Sequence, residues 1–197
     1  MAKLLDKLSK EMNSLGLASR TPKSRSWMRD QIKSLNSTGA RQSIIRDNRN
    51  KRNKSMLGRM YFYYYDPKTK DTLPYYDRFP LVIPIQRYQD GFLGLNLHYL
   101  PIQLRLVFLD RLYDFLTNDN FDEKTRFRMT YSLLSNVGKY KQFKPCLKRY
   151  LASHLRSQFI EVPADQWELA IFLPVEQFVG ASKNKIHKDS KDTIKRG

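Results

Sequence analysis

RMYFYYYDPKTKDTLPYYDRFPLVIPIQRYQDGFLGLNLHYLP, residues 59–101, reads as a small antiparallel sheet. MYFYYY is almost wholly aromatic, and aromatic side chains suit the half-buried pleat of a strand. DPKTKD is a turn cluster. LVIPIQ is a second strand, in which Pro84 cannot donate to a ladder and so marks an edge or a bulge. Asp90-Gly91 supplies the next turn. Beyond it Leu93, Leu95, Leu97 and Tyr99 alternate with Gly94, Asn96 and His98 in a period of two. Gly94 in that run reads as a point of close backbone packing. His98 is expected to cap or to face solvent.

After Pro101 the period changes. Leu104, Phe108, Leu112 and Phe115 recur at helical spacing. Residues 122–137 open with acidic side chains, which suits a helix N-terminus. Residues 143–160 place Phe143, Leu147, Tyr150, Leu151, His154 and Leu155 on one helical face, with Lys144, Lys148, Arg149 and Arg156 toward the other. DQWELAIFLPVEQFV, residues 165–179, fits a strand broken at Pro174 or a helix followed by a turn. Strands followed by helices predict an α+β fold. Its small antiparallel sheet spans about 60–100, its helical cluster about 102–160, and basic extended tails flank both.

The 197 residues carry a formal net charge of +17, unevenly placed. Residues 1–60 hold fifteen Lys and Arg against four Asp and Glu, and residues 181–197 hold six against two. The stretch between is nearly neutral. Of the twenty-five aromatics only Trp27 precedes residue 60, which puts the core after it. The chain therefore divides into a basic N-terminal arm over 1–57, a folded domain over 58–180 and a basic C-terminal tail over 181–197. Within the arm, Leu4, Leu5, Leu8, Met12 and Leu15 form one helical stripe that Gly16 ends. Residues 18–57 carry too little apolar surface to offset their ordering entropy alone, so they read as flexible or ordered by a partner.

Several classes of function fall away. No run approaches the ~18 apolar residues of a membrane span, and the first residues lack the pattern of a secretory signal. The lone Cys146 excludes an intrachain disulfide framework, and three scattered histidines offer no metal-ligand spacing. Phosphate-loop, dinucleotide and nucleophile-elbow motifs are all missing. We therefore expect no enzyme, no cofactor, no metal, no small-molecule substrate and no membrane partner.

The positive signal is cationic. Arg20, Lys23, Arg25, Arg29, Arg41, Arg46, Arg49, Lys51, Arg52 and Lys54 crowd into about 35 residues, and Lys144, Lys148 and Arg149 add a second group. Such density binds nucleic acid chiefly by releasing counterions from phosphates, and it carries no base code. Trp27 could stack on a base or fill a partner's pocket. MYFYYY could form a stacking platform for single strands, although Tyr and Phe alternating on a sheet more often pack a core on one side and leave a wet rim on the other.

The strings MYFYYYDPKTKDTLPYYDRFPLVIPI, DGFLGLNLHYLP, FKPCLKRYLASHLRSQFI and WELAIFLPVEQF resemble the DNA end protector family, virion proteins of T-even-type contractile-tailed phages. The resemblance covers about residues 60–190. It implies a low-copy virion protein that sits on the end of the packaged double-stranded genome near portal, neck or tail proteins. There it would shield the DNA from host exonucleases and help complete the head, after assembly in the host cytoplasm. It also implies that Pro74, Asp77, Gly91 and Gly94 are fold determinants. A purely structural neck, tail or baseplate adaptor, whose basic arm binds other virion subunits, fits the same charge map.

Overall fold

The computed structural model describes residues 4–116, Ser132 and residues 141–196. Within them the α+β class is as expected. The main sheet is antiparallel throughout. Its strands are β1 (Lys51–Arg52), β2 (Met60–Phe62), β4 (Leu81–Tyr88), β5 (Gly91–Asn96), β6 (Leu147–Leu151) and β7 (Phe159–Val162), in the order β1-β7-β2-β4-β5-β6. A separate pair joins β3 (Tyr76–Asp77) to β8 (Phe178–Val179).

Pro84 lies in an interior strand and is tolerated by a bulge. It stands opposite Gly94, whereas Gln86 stands opposite Leu93, leaving Ile85 as the extra residue. Its carbonyl accepts the Gly58 N–H at 2.9 Å. A Cβ on Gly94 would come 2.4 Å from Val82 Cγ1, so the strand requires glycine there for space.

Both faces of the sheet bury apolar clusters. Met60, Phe62, Leu81, Ile83, Leu95, Ile160 and Val162 join one large core cluster with α4 (Ile102–Leu116) and α5 (Trp167–Phe172). Tyr61, Tyr63, Tyr65, Val82, Phe92, Tyr150 and Phe159 form a second cluster. In a flat sheet the strands of Phe92 and Phe159, three steps apart, would be ~14 Å apart. Their ring centroids are 5.9 Å apart, so the sheet coils around its aromatic cluster. The expected wet rim of MYFYYY is therefore absent, and Tyr61, Tyr63 and Tyr65 cannot serve as a stacking platform.

The helical reading of 143–160 is corrected. After a 3-10 turn the chain forms β6 on the edge of β5, then a further 3-10 turn, then β7 between β1 and β2. The apolar spacing there is helical, but a strand buried on both faces needs no strict alternation, and ladder hydrogen bonds to the waiting strands decide it. Residues 165–179 resolve into α5, an extended link through Pro174, and β8. The helix expected over 122–137 lies, apart from Ser132, outside the described residues.

The expectation that 18–57 is flexible or ordered by a partner is also corrected: its own protein orders it. Three helices precede β1: α1 (Leu4–Ser14), α2 (Pro22–Lys33) and α3 (Ser37–Ile45). Gly16, at φ +64°, ends α1 as expected, with Leu17 N–H bonded to Met12 O and Gly16 N–H to Asn13 O. Thr21 and Ser24 form a capping box ahead of α2, and Asn36 accepts from Thr38 and Gly39 N–H to start α3. Leu8, Met12, Leu17, Met28, Ala40 and Ile44 enter the large core cluster. Met28, Ala40 and Ile44 lie within 18–57, so the segment packs on the core of the rest of the protein, which supplies the apolar contacts its own polar surface lacks. At the other end, residues 181–197 are less a tail than a helix, α6 (Lys183–Arg196), with Ile186 and Ser190 buried.

Candidate nucleic-acid interface

A buried polar hub holds the surfaces in place. Asp77 Oδ1 accepts from the Phe79 and Gln177 N–H groups, both at 3.0 Å. Its Oδ2 accepts from Asn96 Nδ2 at 3.2 Å and lies 2.7 Å from His98 Nδ1. One carboxylate thus ties β3 to β5 and to the approach to β8. His98 is fully buried, contrary to the expectation that it faces solvent or caps. Arg105 of α4, also buried, donates to the carbonyls of Leu100, Ile171 and His98. His187 of α6 donates its Nε2 hydrogen to His98 O at 2.9 Å. Lys183 pairs with Glu176. Burial opposes ionisation of Glu176, but His98, Arg105 and Lys183 more than offset it and hold its carboxyl down at about 2.

The thirteen candidate cations do not form one patch. Several are engaged within the protein. Arg25 bridges Glu168 at 2.7 Å and Asp110 at 2.5 Å, Arg52 holds Glu161 at 2.9 Å, and Arg49 pairs with Asp6. Arg149 pairs with Asp90 and covers the Tyr88 ring, and Arg41 donates to Val175 O and Thr38 Oγ1. Arg20 lies over Tyr113, Arg29 over Phe172 and Lys148 over Tyr99. Lys23, Arg46, Lys51, Lys54 and Lys144 have no carboxylate partner among the described residues. The two edge strands separate Lys51 and Arg52 on β1 from Lys148 and Arg149 on β6.

The sequence reading assigned no binding residues to α6. Lys188, Lys191 and Lys195 are exposed and share one helical face, without a carboxylate partner among the described residues. Asn184, Lys188 and Lys191 border a cleft of about 500 Å³ against Pro101, Ile102 and Gln103. Their spacing of three and four was the signal available for finding this face.

A second concavity, of about 390 Å³, lies between the 65–77 segment and β6. Lys68, Tyr75, Tyr76, Tyr99 and Lys148 border it. Lys148 Nζ stands 4.1 Å from the Tyr99 ring centroid, and burial pushes its pKa below the usual lysine value. Tyr75 and Tyr76 are half-buried at this site, unlike the sealed Tyr61, Tyr63 and Tyr65.

Trp27 packs against the core and does not project as a free stacking group. Burial pushes the Cys146 thiol up to about 12, so it carries negligible thiolate at neutral pH. Among the described residues no helix is long and apolar enough to cross a membrane, and no three His, Cys, Asp or Glu side chains gather as metal ligands.

The family model of the phage T4 terminal DNA protecting protein matches residues 2–192. No curated protein and no solved structure matches the chain.

Proposed function

The chain belongs to the phage T4 terminal DNA protecting protein family, and on that premise we propose that it acts as a non-catalytic binder on the end of the packaged genome. In this reading it sits near the portal, neck or tail of the virion, shields the DNA terminus from exonucleases and aids head completion. It is made and assembled in the host cytoplasm. The observation that carries the reading is the family match across nearly the whole chain. The charge of +17 supports it physically, because duplex DNA attracts any cation not already neutralised by its own protein.

The contacts proposed for the phosphate backbone are drawn from the cations that have no carboxylate partner among the described residues. These are Lys23, Arg46, Lys51, Lys54, Lys144 and Lys148, joined by Lys188, Lys191 and Lys195. Arg20 and Arg29, held over aromatic rings, can also turn to phosphate. Arg25, Arg49 and Arg52 act mainly inside the fold, and their charge is partly cancelled where it stands.

The test is exonuclease digestion of blunt linear duplex with and without the protein, beside a salt titration of binding. Protection of ends, with affinity falling steeply as salt rises, is the expected result. The structural-adaptor reading predicts weak binding indifferent to ends, and tight association with another virion protein.

A further inference from the structure

Exposed cations bind any stretch of backbone, so they cannot distinguish an end from an interior. An end offers what a closed duplex lacks, a terminal nucleotide free of one stacking neighbour. Capturing it takes a concave site that offers an aromatic face to the base and a cation to the phosphate.

The concavity beside β6 has this chemistry. We propose that it receives the terminal nucleotide of the DNA, the base against Tyr75 and Tyr76 and the phosphate against Lys148 and Lys68. This rests on the DNA-end reading above. The volume of about 390 Å³ lies within the roughly 300–1,000 Å³ of small-ligand sites. Lys148 is half-buried over Tyr99 and has no carboxylate partner among the described residues. An arriving phosphate would supply the anion that this position lacks. The site is held rigidly from two sides. Gly91 backs β6 so closely that a Cβ there would come 1.9 Å from Tyr150 O, and Asp77, next to Tyr76, holds the ring of His98, next to Tyr99, at 2.7 Å.

The experiment uses the full chain and three DNAs of equal length: an open blunt duplex, the same duplex closed at both ends by hairpins, and a circle. Wild type is expected to prefer the open duplex. Lys148→Met and Tyr75→Ala are each expected to reduce that preference roughly tenfold, the scale of one lost base–aromatic or phosphate contact. Affinity for the circle should stay unchanged in Tyr75→Ala, and Lys148→Arg should restore the preference in part. Photo-crosslinking with 5-iododeoxyuridine should label Tyr75 or Tyr76 from the terminal position and not from an internal one. A mononucleotide should compete only weakly, because the duplex supplies the neighbouring phosphates.

If wild type prefers open ends but both variants keep the full preference, with crosslinks elsewhere, the pocket assignment is wrong and the DNA-end reading survives. If wild type does not distinguish the three DNAs, both fall. Circular dichroism spectra matching wild type show that the variants are folded.

Discussion

The N-terminal helices α1–α3 and the C-terminal helix α6 are equally basic to the eye, yet they use their charge differently. Arg25 reaches across to Glu168, whose side chain is 4% exposed, and Arg49 reaches Asp6. In α6 the ion pairs are Lys183 with Glu176 and Lys185 with Asp189, and Lys188, Lys191 and Lys195 are left facing solvent. The first region resembles a clasp and the second a charged surface. Net charge, in which every ion pair already counts as zero, therefore does not say which cations remain free for a polyanion.

Removing residues 1–57 makes the strongest test. It takes six side chains from the shared core, uncovers the α5 face against which α1 and α2 pack, and strips β1 from β7. We expect loss of cooperative unfolding in urea. A truncated protein with a sharp transition would show that the helices are an appendage.

Arg25→Ala comes next. It leaves Glu168 buried with only the Arg20 N–H among its present partners, and breaking such a pair costs about 3 kcal/mol. The midpoint of urea unfolding should fall, while the salt slope of DNA binding stays close to wild type. A normal midpoint with a reduced slope would reverse the roles assigned here.

Changing Lys188, Lys191 and Lys195 together to Gln should do the opposite. Stability is expected within about 0.5 kcal/mol of wild type, as for most surface changes. If all three touch phosphates, the slope of log affinity against log salt should drop by about 2.7. An unchanged slope would remove α6 from the interface.

The smallest effect is in pH. Burial first, then Arg105 and Lys183, keeps His187 below its ordinary value, although its hydrogen bond to His98 O opposes this. Glu176 is held at about 2 against an ordinary 4.5. Both folded groups resist protons that the unfolded chain binds. Their contribution is complete above about pH 6.5. It fades as acid passes first through the His187 range and then from about 4.5 toward 2 for Glu176. Hydrogen exchange should show α6 loosening before α1–α3 as pH falls. Simultaneous loosening would mean that the hub does not anchor α6 separately.

The 59–101 stretch was legible because its period of two and its turn residues are local signals. Pro84 announced an irregularity, and Gly94 a close contact that proved to be with Val82. Thr21-Pro22 and Asn36 were equally local helix starts, but the weight of charge around them masked the narrow apolar face of Met28, Ala40 and Ile44. At 143–160 the sequence is ambiguous in principle, since Leu147, Tyr150 and Leu151 share a helical face, yet a strand that buries both faces also takes apolar residues on either side.

The binding surfaces divide along the same line. Lys148 was visible as a cation, and its place in a tyrosine-lined concavity was not, because Tyr75, Tyr99 and Lys148 meet only when β6 adds to β5. The sequence by itself determined the α+β class, the aromatic sheet and the excess of positive charge, since periodicity, turn chemistry and composition act over a few residues. Tertiary structure alone decided which cations are neutralised, which tyrosines are sealed and where a pocket opens. Each of those depends on contacts between residues far apart in the chain, such as Arg25 with Glu168 or Asp77 with Gln177.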